Sequence, residues 1–130
     1  MRDYSYFLIE TYNKKECVQC EYAIWSSDLL IAHMRESRFF FIDATWHQPH
    51  GFQQLLIIMF KDIITHEKYP GFFIIMNNRT EQLYQRIFNS VLNILTQNMI
   101  YNLKVDYIIT DTENAMVNAI NNVFINIKRI

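Results

Sequence analysis

The chain has 130 residues, enough for one domain that buries roughly 70% of its unfolded surface without disulfides or metals. Half of it is hydrophobic (51%) and it holds only two glycines and two prolines, which excludes a disordered segment and a turn-rich β-sandwich. The formal net charge of −1 leaves no general basic excess for nucleic acid, so any such contact must rest on local charge.

The first ten residues, MRDYSYFLIE, lack the charged segment and apolar run of a secretory signal. The longest uncharged apolar run, residues 55–60, is far shorter than the roughly 20 residues that cross a bilayer. A soluble intracellular protein with no membrane association is expected. Residues 4–10 fit either a strand or the start of a buried helix. Residues 26–35 read as a short helix, with Ser27 or Asp28 as its cap and Arg35 near its C-terminal end.

From residue 38 the pattern sharpens. Residues 39–42 form a continuous apolar run that ends at Asp43, and residues 54–60 form a second. Pro70-Gly71 is a turn signal ahead of a third run, residues 72–76. Such runs predict strands covered on both faces. Pro49 and Gly51 in the first connection suit an antiparallel turn. Thr80 and Glu81 then open an amphipathic helix, on which Leu83, Tyr84, Ile87, Phe88, Val91, Leu92 and Leu95 recur at helical spacing. Residues 107–110 are another apolar run, ending at Asp111. Ala115, Met116, Ala119, Ile120 and Val123 mark a second helix, which Thr112 can cap, and residues 126–130 begin a further strand. The order β-β-β-α-β-α predicts an α/β fold with a mixed sheet, incomplete at the C-terminus. Residues 1–37 read as an N-terminal run-in segment and residues 38–130 as the domain proper.

Asp43 and Asp111 each follow a buried strand. On parallel neighbouring strands they would share the edge where open α/β sheets place their ligands. Two carboxylates at one edge repel each other, and a hard divalent cation with oxygen ligands, Mg²⁺ or Mn²⁺, relieves that repulsion. The competing reading of a strand-end aspartate is a turn former or a helix cap.

Further motifs extend the pattern. Asp43-Ala44-Thr45-Trp46 is followed by Gln54-Leu55, then by Pro70 and the run 72–76, Arg79-Thr80-Glu81 and Tyr84, and last by Asp111-Thr112-Glu113-Asn114-Ala115. In this order and spacing, across about two-thirds of the chain, they resemble the Mutator-like (MULE) transposase domain. The resemblance implies an RNase H-like fold and DDE chemistry, the metal-dependent cleavage and strand transfer of DNA transposition. It makes Asp43 and Asp111 the first two acids of the triad. It also implies Mg²⁺ or Mn²⁺ as cofactor, transposon ends and target DNA as partners, a nuclear location, and room for a homo-oligomer. Ala44 stands where the family has Gly, and Thr112 where it has Phe. The family's third acid is a glutamate on a later helix, whereas residues 114–130 hold no Asp or Glu. Glu113 is expected to stabilise a helix N-terminus rather than replace it. A fragment inactive by itself is therefore expected; the alternative is a domesticated, non-catalytic RNase H-like module that binds DNA or protein.

The remaining candidates are weaker signals. Cys17 and Cys20 have half of a zinc-site spacing with no second pair, which favours free thiols over zinc. His47 and His50 follow Asp43 and can approach a phosphate, and Arg79 and Lys61 are candidate DNA-phosphate contacts. Solvated surface charge is the competing reading for each.

Overall fold

The computed structural model describes residues 6–13, 21–46, 54–99, 102–111, 113–125 and 128–129. In chain order these form β1 (Phe7–Asn13), β2 (Glu21–Ser26), α1 (Asp28–Glu36), β3 (Phe39–Trp46), β4 (Gln54–Lys61), β5 (Lys68–Met76), α2 (Glu81–Thr96), β6 (Tyr107–Thr110), α3 (Asn114–Val123) and β7 (Lys128–Arg129). From Phe7 on, the ambiguous N-terminal stretch is a strand. It pairs with β2, and β2 pairs with β5, so both extend the sheet.

The seven strands lie in the order β1-β2-β5-β4-β3-β6-β7. The first five are antiparallel neighbours, while β6 runs parallel to β3 and β7 parallel to β6. This mixed sheet with three helices is consistent with the RNase H-like fold that the resemblance implied.

Alternate residues of the strands enter one core. Ile24, Phe40, Ile42, Leu56, Ile58, Phe60, Phe72, Ile74, Met76 and Ile108 are buried and cluster with the apolar stripes of all three helices. The other sheet face differs from the two-sided cover expected from the continuous apolar runs. Phe39, Phe41, Ile57, Met59, Phe73 and Ile75 are only half-buried, as in a sheet with helices on one side. Long aliphatic stems cover part of that face: the Lys68 ammonium lies 4.0 Å from the Phe41 ring centre and that of Lys61 lies 5.7 Å from Phe39.

Pro70-Gly71 does not make the expected turn. The β4–β5 connection turns earlier, at residues 62–67, where His66 has a positive φ of 62°. Pro70 and Gly71 lie inside β5 at a register shift opposite Ile58 and Met59. A proline cannot donate to the ladder, so a bulge accommodates it. Gly71 has a separate reason: a Cβ there would stand 2.1 Å from Sδ of the buried Met34. The missing side chain lets α1 approach the sheet.

The helix ends follow the sequence signals. Ser27 Oγ accepts from the Leu30 N–H at 3.1 Å, and Thr80 Oγ1 accepts from the Leu83 N–H at 3.3 Å. Arg35 does something its position did not suggest. Its guanidinium crosses to the C-terminal end of α2, where Nε donates to the Leu95 carbonyl at 2.7 Å and Nη2 to that of Gln97 at 3.2 Å.

Candidate active site

The parallel ladder of β3 and β6 pairs Phe39 with Tyr107, Phe40 with Ile108, Phe41 with Ile109 and Ile42 with Thr110. The next step in that register is Asp43 beside Asp111. Neighbouring strands lie about 4.8 Å apart; Asp43 lies within β3, which runs on to Trp46, and Asp111 stands just past the end of β6. Both aspartates are exposed. The alternation that buries Phe40 and Ile42 directs Asp43 away from the core, on the face of Phe39 and Phe41.

The rest of this end of the sheet is built from the start of β4 and the end of β5, since Trp46 pairs with Gln54 and Gln54 with Met76. Arg79 follows β5 and is exposed at the same end; its N–H is tied to Asn78 Oδ1 at 2.7 Å. Lys61 goes elsewhere. It ends β4 opposite Lys68, at the far end of the sheet, so it is not part of the aspartate edge. His47, His50, Cys17, Cys20 and Thr112 lie outside the described residues.

Below the aspartate edge runs a polar chain that the sequence did not reveal. Gln54 Nε2 donates to the Tyr84 hydroxyl at 2.7 Å, and that hydroxyl donates to Glu113 Oε2 at 3.0 Å. Gln54 and Tyr84 are both 0% exposed. Burial pushes the Tyr84 phenol well above its ordinary value of 10.0; the Gln54 hydrogen bond opposes this and the Glu113 charge adds to it. The hydroxyl therefore stays protonated and able to donate. Glu113 occupies the N-cap position of α3 but makes no side-chain cap bond. Its carboxylate is turned to Tyr84, while its charge stays at the N-terminus of α3 where the sequence placed it. All three residues fall in the motifs that carry the family resemblance, but nothing in the sequence shows that they meet.

The edge suits a hard cation in its donor chemistry, with two carboxylates and no sulfur or imidazole among the described residues there. Mg²⁺ is commonly held by one or two carboxylates, with water and substrate phosphates completing its shell. Among the described residues no group of three or more His, Cys, Asp or Glu side chains is arranged to hold a metal ion. Among the described residues the edge thus carries two exposed carboxylates and not a closed cage.

Comparison with known proteins agrees with this architecture. The family model of the MULE transposase domain matches residues 39–130, well over half of the chain and all of the segment from β3 onward. No curated protein matches the chain. The chain belongs to the MULE transposase domain family.

Proposed function

We propose that Asp43 and Asp111 are the first two carboxylates of a DDE-type transposase site, and that they hold Mg²⁺ or Mn²⁺ for cleavage and strand transfer on transposon DNA. The observation that carries this reading is the parallel β3–β6 register, which sets the two aspartates side by side. A divalent ion bound there would stabilise the charge that develops on a phosphodiester during attack by water or a DNA 3′-hydroxyl. The chain itself supplies an edge held rigid by two strand ladders. The N-termini of α2 and α3 also start at this edge, and their positive ends favour a nearby phosphate. Arg79, on the same end, is in place to meet a DNA phosphate.

Residues 114–130 carry no third acid, and two ligands orient a metal poorly. We therefore expect the 130-residue chain to bind metal weakly and not to turn over DNA unaided. Titration calorimetry with Mn²⁺ tests the reading. Binding should be measurable in the native chain and absent from an Asp43→Asn, Asp111→Asn double variant. Equal heats from the two proteins would sink the metal site and favour a non-catalytic binding module.

A further inference from the structure

We propose that the Gln54–Tyr84–Glu113 chain is a positioning device that fixes the β6–α3 turn and, through it, the side of the carboxylate pair that Asp111 provides. The inference rests on the metal-site reading above and adds to it the residues that set the geometry.

Three elements meet in this chain: the start of β4, the first turn of α2 and the start of α3. An amide N–H can only donate and a carboxylate can only accept, so the hydroxyl between them has its donating and accepting roles assigned. The polar groups are not needed to fill space. Phenylalanine at position 84 would keep the ring, its stacking on Phe88 and its burial. What the hydroxyl adds is the hold on Glu113, and a buried hydroxyl without a partner is costly. Glu113 in turn gives up the cap bond that its position offers.

Glu113 stands two residues after Asp111, and its carbonyl accepts the Val117 N–H that opens α3. Anchoring its side chain to a fully buried tyrosine therefore pins the start of α3, while the β3–β6 ladder pins the end of β6. A second tie, from Asn118 Nδ2 to Glu81 Oε1 at 3.1 Å, joins the same two helices further along α3. Asp111 itself is exposed, and its backbone lies between the end of the β3–β6 ladder and the anchored Glu113. Ligand side chains have to be held within about half an ångström to be productive.

The test uses Mn²⁺ binding together with amide hydrogen exchange of residues 113–117. Tyr84→Phe is expected to melt cooperatively, bind Mn²⁺ about tenfold more weakly than the native chain, and exchange faster at the turn. Glu113→Leu should behave alike, and it reaches the same contact from the half-buried end should the Tyr84 variant fail to fold. Glu113→Gln keeps an oxygen that accepts from Tyr84 and should retain most of the native affinity and protection. Loss of binding in Glu113→Gln as complete as in Asp43→Asn would overturn the positioning role, because it would make Glu113 a direct ligand. Native exchange rates at the turn in Tyr84→Phe would also overturn it, whatever the metal does. A native chain that binds no Mn²⁺ would sink the metal-site reading alone and leave the exchange data to decide this inference.

Discussion

Asp62 shows how much one buried carboxylate can contribute away from the site. It is 1% exposed and opens the β4–β5 turn. Burial by itself would push its pKa up, but it accepts from the Thr65 N–H at 3.0 Å and contacts the His33 ring at 2.9 Å. Together these hold its carboxyl below the ordinary value of 3.8. A carboxyl whose value is lower in the folded chain adds stability above the unfolded value, and that stability is lost as pH falls through the folded value. Asp62→Asn should therefore cost about 1–3 kcal/mol near neutral pH. The deficit should shrink as pH drops below 3.8. Urea melts of both proteins from pH 7 to pH 3 would check the sign, and a deficit that grows with acid would contradict it.

At the scale of elements, two contacts hold the helices to each other and to the sheet. The last turn of α2 has no basic residue of its own, so its carbonyls depend on Arg35 from α1. Arg35→Ala is expected to lower stability by about 1–2 kcal/mol, read as a fall in denaturant midpoint with an unchanged slope. The approach of α1 to β5 depends on Gly71. In Gly71→Ala the new methyl must displace Met34, which is fully buried, and overpacking of this kind costs about 1–3 kcal/mol. Pairing that change with Met34→Ala should recover part of the loss, because the same space is then empty; strictly additive losses in a double-mutant cycle would rule out the clash.

For the whole molecule, β3, β4, β6 and the two helices after residue 38 were legible because each rests on an apolar run or a 3.6-residue stripe, whereas Pro70-Gly71 hid the first half of β5. The aspartates were legible for the same reason: a charge directly after residues 39–42 or 107–110 stands out. Three features were not. Residues 4–10 carry no period that separates strand from helix, and only the pairing of β1 with β2 decides it. Phe39, Phe41 and Phe73 are as apolar as their buried neighbours, so composition did not show that no helix among the described residues covers that sheet face. The Gln54–Tyr84–Glu113 chain joins residues distant in sequence, and each has an ordinary local use as a strand opener, a core ring or a helix start.

The order of the strands has a kinetic consequence. Strands β3 and β4 each pair with the next strand in the chain, β4 and β5, so these hairpins close small loops. β6 enters only after β4, β5 and α2 have been passed, when Tyr107 reaches Phe39. Closing that long loop is the slower event. The carboxylate pair therefore does not exist in any partly folded chain that has formed the hairpins alone. An ion gripping both acids would act as a clasp on β6, slowing its departure more than it hastens its arrival.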